Sequence, residues 1–147
     1  YIDKYMLKNI NQKLNLNEED YSLIGIVSTS KEYKIAWVLN NTLEISLVKE
    51  KDEKINLINN ESIYISHFIY KREKKYLRLI SNKILNNELK KHLISSLSDF
   101  DYLIQFSPNL FEFKSFDIIN KLKSNNLIQF ANFVDTKLIK EKYLLYI

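Results

Sequence analysis

The chain has 147 residues, with one glycine, one proline and no cysteine. Without cysteine there is no thiol nucleophile and no zinc–thiolate site. With one glycine there is no P-loop or dinucleotide-binding turn, in which backbone must approach phosphate closely, and the formal net charge of +4 is too modest to name a partner.

The length suits a single domain that can bury a core without disulfides or metal. Ten tyrosines and eight phenylalanines supply much of that core. The missing cysteine fits a reducing compartment. No window approaches the roughly eighteen apolar residues of a membrane span. The first residues lack the apolar run and small-residue cleavage pattern of a signal peptide. A cytoplasmic bacterial protein with no membrane partner is therefore expected.

Residues 1–17 place Tyr5, Met6, Leu7, Ile10 and Leu14 at spacings near three and four, which predicts an amphipathic helical extension. The single domain is expected over 18–147. Tyr21 to Val27 is apolar and β-branched, the pattern of a buried strand. Gly25 lies inside it, where a neighbour comes close or a ligand presses against the backbone. Ser28, Thr29 and Ser30 are candidate N-caps for a helix over SKEYKIAWVLNNTL. The apolar arc of that helix, from Tyr33 through Trp37 to Leu39, is wide and predicts cover on more than one flank. Asn40 and Asn41 are its expected end.

Residues 44–58 read as a strand interrupted by charge. SIYISHFIYKREKKYLRLISNK reads as a hairpin, with Ile63, Ile65 and Phe68 on one arm, REKK as the connection, and Tyr76, Leu77, Leu79 and Ile80 on the other. Period two breaks between His67 and Tyr70. Residues 84–99 read as a loop with a short helical turn. DFDYLIQFS is a further strand, FDIINKLKS a helix, and LIQFANFVD the last strand. The closing KLIKEKYLLYI mixes charged and apolar residues. The predicted class is α+β: one mostly antiparallel sheet with two main helices packed on it, plus the N-terminal helical segment.

The stretch DYSLIGIVSTSKEYKIAWVLNN at Asp20–Asn41, the ISN at Ile80–Asn82 and the DFDYLI at Asp99–Ile104 together resemble the small IPExxxVDY family of Bacteroidota. Its naming motif falls on IQFANFVDT, where Ile128, Val134 and Asp135 match its Ile, Val and Asp. Gln129 stands where the motif has Pro, Phe130 where it has Glu, and Thr136 where it has Tyr. The resemblance implies a fold and a lineage, and it carries over no catalytic residue.

Three functional readings follow. The first is a non-enzymatic protein-interaction or assembly factor, with Tyr5, Met6, Tyr143 and Tyr146 as candidate partner contacts, because tyrosine suits interfaces. The second is binding of structured RNA or a ribonucleoprotein. Residues 71–91 hold eight Lys/Arg against two Glu, and Lys71, Arg72, Lys74, Lys75 and Arg78 are candidate phosphate contacts, with Tyr76 for stacking. The third is a small hydrolase or phosphate-handling enzyme using Asp99 and Asp101, which share a face if their segment is strand. His67 and His92 are too few and too far apart to suggest a metal site. No cofactor, no metal and no small-molecule substrate are expected.

Overall fold

A strand whose residues are apolar on both sides needs cover on both faces of its sheet. The segments around Ile24, Leu79 and Ile104 are of that kind, and they form the middle of the sheet. A computed structural model describes residues 21–56, 62–86, 89–111, 115–140 and 142–145. The expected extension over 1–17, with Tyr5 and Met6, lies outside the described residues, as do Asp20, Tyr146 and the side chain of Tyr143.

The elements are β1 (Ser22–Val27), α1 (Glu32–Leu43), β2 (Val48–Lys49), β3 (Glu53–Asn56), β4 (Ser62–Ile65), β5 (His67–Arg72), β6 (Lys75–Ser81), β7 (Lys83–Asn86), β8 (Leu89–His92), β9 (Tyr102–Phe106), α2 (Ser115–Lys123) and β10 (Phe130–Phe133). Single 3₁₀ turns lie at Ser95–Leu97, Thr136–Leu138 and Lys142–Leu145. Six strands form one sheet in the order β10-β1-β9-β6-β5-β2, and each pairing in it is antiparallel. The protein is thus α+β, with a large antiparallel sheet and two helices, as the sequence pattern predicts.

Side-chain alternation divides the core. Ile24, Ile26, Leu77, Leu79 and Ile104 pack against Ile35, Val38 and Leu39 of α1 and Ile118 and Leu122 of α2. Leu23, Ile80 and Leu103 point the other way. There the cover is Ile63 and Ile65 of the β3–β4 ribbon, Ile84 of the β7–β8 ribbon, and Leu144 and Leu145 of the last turn. Leu144 and Leu145 thus pack back on the domain.

Four local expectations differ from what forms. The first hairpin arm is two strands: β4 pairs with β3, and β5 with β6. The division falls at Ser66, whose hydroxyl donates to Glu32 and whose carbonyl accepts from Ser81 N. Residues 83–98 hold a ribbon and a 3₁₀ turn. The turn is held by Asn82, which is buried and bonds to Ile94, Leu97 and Phe100. Helix α1 runs past Asn40 and Asn41 because Leu43 is buried in the core, and it closes at Glu44 in the left-handed conformation (φ 55, ψ 49). Its N-cap is Lys31, with no side-chain cap bond. Ser28, Thr29 and Ser30 fasten the preceding loop instead.

Candidate functional site

The loop between β1 and α1 is held at every residue. Ser28 N donates to Asp101 Oδ2 at 2.8 Å, and Thr29 N to Gln129 Oε1 at 3.1 Å. Ser30 N donates to Ser28 Oγ, which itself donates to the Leu127 carbonyl. The Tyr102 hydroxyl donates to Ser30 O. Burial, then the charges of Glu32 and Asp101, push the Tyr102 phenol up to about 12. Burial also raises the Glu32 carboxyl, against the Ser66 hydrogen bond that lowers it. Helix α1 therefore starts from a firm base.

That helix presents its aromatic residues outward. Ile35, Ala36, Val38, Leu39 and Leu43 are buried, while Tyr33 is 59% and Trp37 61% exposed. The two rings are four residues apart and so lie one turn apart on one face. Lys34 and Asn41 flank them and are exposed too. Cover on more than one flank was expected from the wide apolar arc: α1 packs on the sheet and touches α2, while the face that carries Tyr33 and Trp37 stays open. Trp37 is the sole tryptophan of the chain.

The basic side chains described between 71 and 83 do not form one surface. Lys71, Arg72, Lys74 and Lys75 are exposed around the β5–β6 turn, and Lys75 Nζ donates to Asn109 O. Tyr76 is half-buried, and burial raises its phenol pKa, so its ring is not a free stacking platform. Arg78 corrects the expectation of a phosphate contact: its side chain is 0% exposed. It lies between Leu77 and Leu79 in a strand covered on both faces. Lys83 follows β6 at the far end, roughly 25 Å from the turn along an extended strand, and pairs with Asp101 Oδ1 at 3.0 Å.

The carboxylates do not converge. Asp99 and Asp101 precede β9 in a turn and a bend, so strand alternation does not align them. Asp99 is exposed, whereas Asp101 is committed to Ser28 N and Lys83. Among the described residues, no three His, Asp or Glu form a group that could hold a metal.

Behind the sheet lies a polar cluster that the sequence reading missed. Arg78 Nε donates to His67 Nδ1 at 3.0 Å, and His67 Nε2 lies 3.2 Å from Lys51 O. Gln105 is the register partner of Arg78 on β9 and is 3% exposed. Burial brings the Arg78 guanidinium down to about 10, and it stays charged at neutral pH. Burial, then the Arg78 charge, lower the His67 imidazole.

The residues that carry the family resemblance have structural places. Gly25 meets the Phe100 ring: a Cβ there would sit 2.4 Å from Cδ1. Ile128 is in the helix-side core, and Val134 packs behind the sheet. Asp135 accepts from Lys137 N and caps the turn that follows. No family model matches the chain, and no curated protein matches it at a significant level. No helix of the described residues is long and apolar enough to cross a membrane.

Proposed function

We propose that the protein is a non-enzymatic interaction or assembly module that docks a protein partner on the outer face of α1. The observation that carries this reading is the pair Tyr33 and Trp37, both more than half exposed and one turn apart. Leaving a large apolar ring in water forgoes roughly 2 kcal/mol of burial. Trp and Tyr are the side chains that most often dominate binding at interfaces. The fastened loop before α1 supports the same reading, because a platform already rigid loses less entropy on binding. A cytoplasmic bacterial setting and kinship with the IPExxxVDY family belong to this proposal. They rest on the missing cysteine and on the stretches around Asp20–Asn41 and Ile80–Asn82.

The test is site-specific photo-crosslinking in native cells, with the reactive group at position 37 and a control at exposed Lys54 on the opposite side of the sheet. The expected result is a reproducible protein adduct at position 37 that Tyr33→Ala abolishes. Equal labelling at both positions would sink the reading.

A second reading rests on the exposed Lys71, Arg72, Lys74 and Lys75 at the β5–β6 turn, which would hold structured RNA through its phosphates. Filter binding across salt tests it, and the slope should fall by about one for each lysine removed. Charge reversal at Lys74 and Lys75 that leaves affinity and slope unchanged would rule it out. The carboxylate enzyme reading draws no support from the geometry, since Asp101 is already occupied.

A further inference from the structure

A guanidinium with no anion beside it is an exception in a protein interior, because a charge removed from water is costly unless it is paired. Arg78 is 0% exposed and makes no ion pair among the described residues. Among the described residues, its three nitrogens meet only neutral groups or nothing. Nε donates to His67, Nη1 reaches Leu145 O at 3.5 Å, and the buried Nη2 has no acceptor. Glu53 on β3 opposes the charge only through its field. Across the sheet, the buried Oε1 of Gln105 has no partner either. Arg78 and Gln105 are paired in register on adjacent strands, so both project from the same face.

We infer that Arg78 Nη2 and the Gln105 amide together bind one small monovalent anion of halide size, between β6 and β9. With the Gln105 amide turned so that its NH₂ meets the same ion as Nη2, each strand would supply a donor. The cluster carries one positive charge and takes one negative charge. Among the described residues Nη2 is the guanidinium nitrogen without an acceptor, and a single nitrogen suits a spherical ion better than a carboxylate or phosphate, which would use a two-nitrogen fork. A phosphate would also bring more negative charge than Arg78 offsets. Water would satisfy Nη2 and Oε1 as they stand but would leave only the field of Glu53 against the charge.

The experiment is thermal unfolding of the full chain in sodium bromide, with ionic strength held constant by sodium gluconate. The expected midpoint rises by about 4 °C for each tenfold increase in bromide above its dissociation constant. Bromide anomalous scattering in crystals is expected between Arg78 and Gln105. Gln105→Glu supplies the negative charge covalently, so it should raise the midpoint without bromide and abolish the bromide response. Lys71→Gln with Lys74→Gln, at the exposed turn, should keep that response. A midpoint indifferent to bromide in the unaltered protein would assign the place to water and overturn the inference. So would a response that survives unchanged in Gln105→Glu.

Discussion

The Nε–H of Arg78 donates to Nδ1 of His67 at 3.0 Å, and this bond decides the protonation of the histidine. An arginine Nε–H can only donate, so Nδ1 must be the unprotonated nitrogen. The proton therefore sits on Nε2, which faces Lys51 O at 3.2 Å. His67 thus ties the connection between β2 and β3 to the middle of the sheet, and it does so only while neutral.

Acid should loosen this tie. Burial and the Arg78 charge hold the folded pKa of His67 below its ordinary 6.5, with Lys49 acting in the same sense and Lys51 O and Glu50 against it. Between the folded and unfolded values the unfolded chain binds more protons, so stability rises with pH there. The contribution is fully present above about 6.5 and is lost as pH falls toward the folded value. Glu32, raised by burial, contributes with the opposite sign above 4.5. The comparison of wild type with His67→Gln therefore carries the test. Urea midpoints from pH 7.5 to 5.5 should fall more steeply in wild type; parallel curves would contradict the assignment.

Asn82 should be the most sensitive polar position. Its Nδ2 donates to Leu97 O at 3.0 Å and Phe100 O at 2.9 Å, and its Oδ1 accepts from Ile94 N at 2.8 Å. Asn82→Asp keeps the acceptor and turns a carboxylate toward two carbonyls. The expected loss is about 3 kcal/mol, as buried groups lose their partners. Chemical denaturation measures it, and a loss under 1 kcal/mol would refute the role.

Gly25→Ala should be costly because of one ring. The added methyl would lie 2.4 Å from Phe100 Cδ1, and Phe100 is itself stacked on Phe130 with centroids 6.4 Å apart. Overpacking of this kind costs about 1–3 kcal/mol. In Phe100→Ala the clash is gone, so a double-mutant cycle should show strong coupling. Additive losses would mean that something other than the ring excludes the methyl.

Glu44→Gly should stabilise the protein. Glu44 ends α1 at φ 55, ψ 49, a conformation that glycine adopts without the steric penalty of a side chain. Its carboxylate also sits at the negative end of the helix dipole. A gain of about 0.5–1 kcal/mol is expected in thermal or urea unfolding. A loss would show that the Glu44 side chain makes a stabilising contact of its own.

Local patterns account for what could be read in advance. The apolar runs at Leu23–Ile26 and Leu103–Ile104 mark buried strands, and Ile118, Ile119 and Leu122 mark a helix, because each signal lies within a few residues. The burial of Arg78 was also signalled, since Leu77 and Leu79 flank it inside a run with no exposed side. The lysines around it give the same segment the look of a charged surface. The exposure of Trp37 follows from helical geometry: it stands on the side opposite Ile35 and Leu39. Counting apolar residues as one arc concealed this. The role of Asn82 was not legible, because its partners lie 12 to 18 residues away, where no local periodicity reaches.

Trp37 should separate binding from stability. Its ring is 61% exposed while Leu39, two residues on, is fully buried in the same helix. Trp37→Ala should therefore change stability by no more than about 0.5 kcal/mol, as exposed positions do. Leu39→Ala should cost about 2–5 kcal/mol through the cavity it leaves. As the only tryptophan, Trp37 reports its own surroundings. In the free protein, acrylamide should quench its fluorescence nearly as readily as that of a free indole. When the partner recovered by crosslinking is added, the emission should shift to the blue and the quenching should fall. Tyr33→Ala should weaken that complex at least tenfold, in line with a hot-spot aromatic one turn away. A partner that binds with Trp37 still fully quenchable would place its site elsewhere on the protein.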